Sequence, residues 1–268
     1  MFTARSGDGV SVIAHDEGQG PVILVVGPGS DDGSSWAKVS SRLASRFRVL
    51  RVHRRQYRLD LDNPDGFPMS KEAEDIVALV TAVGVPVLVV GHSSGGVAAL
   101  EALVVSPASF IGAVLYEPPV TVHGEPWDGP LAKATAAFRA GKPGAAMRIF
   151  ARDIVRTPAW VAWAGGALVG IIRKYRELVP GQIFDTKAIH DLGIRLPAYG
   201  TIGVPVLLVS GERSPKHLGE RIDELQLALP QAEKVVLRKQ GHTANQKAPA
   251  DLAALITAFY EKLLHGRV

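Results

Sequence analysis

One serine carries the strongest chemical signal in this 268-residue chain. Ser93 stands in Gly91-His92-Ser93-Ser94-Gly95, a G-x-S-x-G pattern. An apolar run, Val85–Val90, leads into it, and an Ala/Leu/Val-rich stretch, Ser94–Val105, follows. The pattern becomes specific when a strand feeds it and a helix leaves it. The turn is then so tight that the serine sits in a strained backbone conformation, and side chains at positions 91 and 95 would collide with neighbouring segments. The start of the following helix points N–H groups and its positive dipole end at the serine. A hydroxyl presented in this way attacks carbonyl carbon once a base removes its proton. Cysteine is absent, which excludes thiolate catalysis, disulfides and Cys-ligated zinc.

The elements that must position Ser93 are legible as short β-branched runs between Gly and Pro. They are 22–26, 47–52, 85–90, 111–116, 204–209 and 234–237. Several are continuously apolar, as strands buried on both faces of a parallel sheet must be. Helical patterns alternate with them at 70–83, with Ser70 as its capping residue, at 94–105 and at 249–264. This alternation predicts an α/β fold with a doubly wound, mostly parallel sheet. Positions 120–199 break it. They offer no good strand, hold Trp127, Trp160 and Trp163, and predict a helical cap inserted into a core formed by 1–119 and 200–268.

Composition narrows the class further. Hydrophobic residues make up 47% and charged residues 21%, which is ordinary for a globular chain. The apolar stretch 159–172 is shorter than the roughly 18–20 residues a spanning helix needs. The first residues lack the continuous apolar region of a signal peptide, and with the lack of cysteine this predicts a cytoplasmic protein. The cluster Arg51, Arg54, Arg55 and Arg58 reads as a solvated surface loop, because no nucleic-acid-binding pattern accompanies it. No H-E-x-x-H, P-loop or G-x-G-x-x-G opening a helix is present, so neither metal nor cofactor is implied. The expected partner is a small molecule, with a homodimer possible.

With this elbow the chain resembles the α/β-hydrolase family, from the Gly/Pro-rich turn after Val26 to the last helix. The resemblance implies a base on the loop after the final strand, where Gln240-Gly241-His242-Thr243 supplies His242. His92 lies inside the elbow, its side chain directed away from the nucleophile. The other histidines read as surface or packing residues. The family's usual acid is the Asp of G-x-x-D after the strand 204–209. Here the turn reads Gly211-Glu212-Arg213-Ser214, and a neutral hydroxyl cannot stabilise imidazolium. Two carboxylates could take its place: Glu117, in Tyr116-Glu117-Pro118-Pro119, is favoured, with Glu212 as the alternative. Lactonases similar to zearalenone-degrading enzymes take their Glu from that second place. Acyl transfer also needs two N–H donors for the developing oxyanion. The resemblance places one at Ser94 and the other at Gly29, with Ser30 as the alternative. Pro28 has no N–H.

The resemblance implies a serine hydrolase. Relatives that open epoxides or remove halide carry Asp at the elbow, so those reactions are rejected. Ester, lactone, thioester, amide and C–C hydrolysis remain. The Trp-rich insert suggests a moderately sized apolar substrate, with Trp127, Trp160 and Trp163 as contacts, and an ester or lactone is favoured. The alternatives are a hydroxynitrile lyase or haloperoxidase-like enzyme, a biosynthetic cyclase, a ligand receptor, or a lipid-surface enzyme using 159–172 as an interfacial helix.

Overall fold

The computed structural model describes residues 1–61, 65–124 and 127–265; positions 125–126 of the expected insert and 62–64 and 266–268 of the expected core lie outside this range. One eight-stranded sheet has the order β1-β2-β4-β3-β5-β6-β7-β8. Its strands are β1 (Phe2–Arg5), β2 (Ser11–Glu17), β3 (Val22–Val26), β4 (Arg48–His53), β5 (Val87–His92), β6 (Phe110–Tyr116), β7 (Val206–Gly211) and β8 (Glu233–Leu237). β1 and β2 are antiparallel, and β4-β3-β5-β6-β7-β8 run parallel. The predicted runs correspond to β3 through β8. β1 and β2 lacked a signal because they are only half-buried and carry polar residues between their apolar ones.

The helices of the core are α1 (Ala37–Leu43), α2 (Met69–Val83) and α3 (Ser94–Val105). Between β6 and β7 come α4 (Asp128–Arg139), α5 (Pro143–Ile149), a π-helical turn (Phe150–Ile154), α6 (Ala159–Ile171), α7 (Arg173–Glu177), α8 (Val179–Leu192) and α9 (Leu196–Tyr199). After β7 follow α10 (Lys216–Ala228), α11 (Ala244–Lys247) and α12 (Pro249–His265). Ser70 does not cap α2: the helix begins at Met69 after Pro68, whose extended conformation ends the preceding loop.

Strand residues alternate between two apolar layers. Ile23, Val25, Leu88 and Val90 pack with Trp36, α1 and α12. Leu24, Val26, Val87 and Val89 face the opposite way, toward α2, α3 and the helical insert. Burial on both faces explains the uninterrupted apolar runs. The chain steps from β3 outward to β4 and then returns to place β5 on the other side of β3. A sheet that reverses direction in this way opens a crevice beyond the C-terminal ends of the two strands concerned. The turns after β3 and β5 carry Gly29 and Ser93.

The Arg cluster is not a solvated loop. Arg54 is 1% exposed. Its Nε donates to Glu72 Oε2 at 2.8 Å, its Nη2 to Asp185 Oδ1 at 2.7 Å, and its Nη1 to Ser94 Oγ at 2.7 Å. Tyr57 also donates to Asp185, at 2.6 Å. Arg55 pairs with Asp75 and Asp8. A planar guanidinium with five donors can be desolvated when carboxylates meet it on several sides. Because Asp185 belongs to α8, this cluster also fastens the insert to the core.

Arg54→Met is expected to destabilise the fold by about 3–5 kcal/mol in urea unfolding, because it strands the carboxylates of Glu72 and Asp185 in the interior.

Candidate active site

Ser93 connects β5 to α3 with φ 53° and ψ −130°. Its N–H donates to Tyr116 O at 2.9 Å, which ties the elbow to β6. A Cβ at Gly95 would run into the carbonyl oxygens of Gly27 and Val26, and one at Gly91 would lie 2.6 Å from Gly96 Cα. Neither position has room for a side chain. Five described non-glycine residues have positive φ, and Ser30, Ser93 and Glu117 are three of them. Ser30 and Ser93 line one cavity, and strained backbone often marks functional sites.

That cavity measures about 370 Å³. Ser93, Ser94, Gly29, Ser30 and His242 all line it, so the predicted nucleophile, base and oxyanion donors share one space. Ser94 is the first residue of α3, and the first N–H groups of a helix have no partner within the helix. The hydrogen bonds of His242 go to His92 and Glu117, and none joins it to the Ser93 hydroxyl.

The two candidate acids are separated by the structure. Glu117 is 0% exposed. Its Oε1 accepts the Gly211 N–H at 2.7 Å, and its Oε2 lies 2.6 Å from His242 Nδ1. Glu212 turns the other way and accepts the Lys239 N–H at 2.6 Å. Ser214, at the position where an Asp was missed, has a buried hydroxyl with no partner.

The loop carrying His242 is held from below by two aromatic side chains. His92 is buried, and its Nε2 lies 3.0 Å from His242 O. Trp36 Nε1–H donates to His92 Nδ1 at 3.2 Å, so Nδ1 is the acceptor and Nε2 carries the proton. Burial, reinforced by neighbouring His242, pushes the His92 pKa well below the usual imidazole value and keeps the ring neutral. The Tyr116 hydroxyl donates to Gly241 O and accepts the Ala244 N–H at 3.3 Å. Its ring stacks on His92 with centroids 4.6 Å apart.

Trp127 lines the cavity, together with Phe150, Ile154 and Leu218. Trp160 and Trp163 do not. They project from the outer face of α6, 74% and 66% exposed, because the inner face of that helix is made of small residues. Sequence reasoning missed Gln182, His217 and Asn245, which also line the cavity. Gln182 Oε1 accepts the Ser30 hydroxyl at 3.0 Å. His217 is the second residue of α10, the helix that follows β7, and a position beyond the C-terminal end of a core strand was the available signal. Among the described residues no group of His, Asp or Glu is gathered as metal ligands.

This geometry belongs to a known class. The alpha/beta hydrolase family model matches residues 22–255, and the chain belongs to that family. A solved alpha/beta hydrolase from Sphaerobacter thermophilus is 26% identical, with TM-score 0.82, covering 97% of this chain and 100% of that one. A thermophilic esterase from Thermogutta terrifontis is similar at 17% identity and TM-score 0.79, covering 98% of each chain. An enol-lactonase from Burkholderia xenovorans LB400 is similar at 18% identity and TM-score 0.74, covering 97% of this chain and 100% of that one.

Burial, aided by Arg221 and Arg156, lowers His217 from 6.5 to about 4. Between these values the unfolded chain holds a proton that the folded one does not, so stability falls as pH drops through this window. Thermal melts from pH 7 to pH 4 are expected to show this decline, and His217→Gln should flatten part of it.

Proposed function

We propose that the chain is a serine hydrolase that cleaves an ester or lactone bond of a moderately sized apolar molecule. Ser93 is the nucleophile, His242 the base and Glu117 the acid. The observation that carries this reading is the carboxylate of Glu117, sealed from water and shared between the Gly211 N–H and His242 Nδ1. A carboxylate there keeps the Nδ1–H tautomer and leaves Nε2 as the lone-pair side facing the cavity.

The steps follow from these roles. His242 Nε2 takes the hydroxyl proton as Ser93 Oγ bonds to the carbonyl carbon. The carbonyl oxygen gains the negative charge, and the N–H groups of Gly29 and Ser94 stabilise it. The tetrahedral species collapses, the C–O bond to the leaving group breaks, and the imidazolium returns its proton to the departing alkoxide. In a lactone that alcohol stays tethered to the acyl group. Water activated by His242 then releases the acid and restores Ser93.

The helical insert, 120–199, serves as the cap. It closes one side of the cavity with Trp127, Phe150, Ile154 and Ile189, which supports an apolar substrate, and about 370 Å³ lies within the range of pockets for moderately sized molecules. The relatives described as an esterase and an enol-lactonase support the same reaction class.

A panel of nitrophenyl esters and lactones tests the reading. Ser93→Ala is expected to lose about 10³-fold or more in kcat, and Glu117→Gln about 10²–10⁴-fold. Glu212→Gln should stay within a few-fold of wild type. Full turnover by Ser93→Ala would remove the proposal, and loss of turnover in Glu212→Gln alone would move the acid.

A further inference from the structure

Helix α6 is inverted relative to an ordinary surface helix. The residues it turns inward are small: Ala162 and Gly166 are its buried positions. They let it lie directly against α5, so close that a Cβ on Gly144 would strike the carbonyl oxygen of Gly166. The large apolar side chains point outward instead. Trp160, Val161, Trp163, Leu168 and Ile171 are all exposed, Ile171 at 79%. At 100° per residue they fall on one broad arc opposite Ala162 and Gly166. Water is a poor partner for such an arc, and isolated exposed hydrophobics do not normally cluster in this way.

The charge around the helix selects what covers it. Residues 154–176 contain no Asp or Glu, but they do contain Arg156, Arg173, Lys174 and Arg176. Arg156 is exposed on the approach to α6, and the other three are exposed directly after it. The Arg173 and Lys174 side chains remain 83% and 63% exposed although Glu177 and Asp32 touch them. Indole rings and aliphatic side chains bordered by cations match the interface of an anionic bilayer, with the rings at headgroup level and the cations at the phosphates. No described helix is long and apolar enough to cross a membrane, so the contact lies along the surface.

We propose that α6 and the basic turn after it dock the protein reversibly on anionic phospholipid surfaces. The π-helical turn Phe150–Ile154, which lines the cavity, runs into α6 through a four-residue link. Docking therefore places the lipid surface beside one wall of the cavity. The proposal stands on the exposed helix and does not depend on the reaction assigned above.

Tryptophan emission gives a direct test. The chain has four Trp, and Trp36 and Trp127 are buried, so a vesicle-induced blue shift reports on Trp160 and Trp163. Phosphatidylcholine–phosphatidylglycerol vesicles are expected to cause the shift and to carry the full chain into the pellet. Raising the salt should weaken this, and pure phosphatidylcholine should bind about tenfold more weakly or worse. Trp160→Ser/Trp163→Ser should stay in the supernatant while keeping the wild-type melting curve and turnover of a soluble ester. If that variant misfolds, the emission shift of the wild type and its salt dependence still decide. Absence of the shift with anionic vesicles, or equal binding to neutral ones, would overturn the proposal. So would light scattering that shows a vesicle-free dimer dissociated by the double substitution, since a second copy would then cover the helix.

Discussion

A carboxylate without access to water must be matched on each oxygen, and Glu117 satisfies that condition with nothing to spare. One oxygen meets the backbone of β7 at Gly211, and the other meets the imidazole of His242. The first contact fixes the side chain relative to the sheet, so the second fixes the imidazole relative to the sheet. The backbone of Glu117 is itself held in the left-handed region at φ 46°, and its N–H is bonded to Val209 O. Leaving this group buried but unpartnered would cost several kcal/mol, far more than a surface ion pair contributes. This one side chain therefore ties the loop after β8 to the paired strands β6 and β7, alongside the contacts from His92 and Tyr116.

The insert is bound to the same centre by polar contacts. Asp185 and Gln182 lie one turn apart on α8. Asp185 accepts from Arg54, which also reaches Ser94, and Gln182 accepts from Ser30. Both contacts end next to residues that line the cavity floor. The apolar walls contributed by the insert are thus held in register with the floor by directional bonds, which hydrophobic packing alone would not provide.

The parallel strands and the elbow were legible because two-sided burial and a forced turn leave marks within a few residues. Ser93 stood out for that reason, while His242 was placed by resemblance alone, on the loop after the last strand, and both line the cavity. The carboxylate beside His242 was harder to read: Ser214 occupied the usual place, and only three-dimensional adjacency of β6 and β7 brings Glu117, and not Glu212, to the imidazole. The Arg54 cluster was misread because charge in a sequence looks like solvation. Its partners Glu72 and Asp185 lie 18 and 131 positions away. Trp160 and Trp163 were assigned to the cavity on residue type alone, and the small inner face of α6 turned them outward. β1 and β2 left too weak an alternation to be seen.

The Trp36–His92 contact has a directional consequence. Because the indole N–H occupies one ring nitrogen, the imidazole can exist beneath the elbow in a single tautomer, and its proton must point at the carbonyl of His242. His92, immediately before Ser93, therefore grips the backbone of His242. The elbow and the loop carrying His242 are thereby joined through a single imidazole, itself anchored to Trp36.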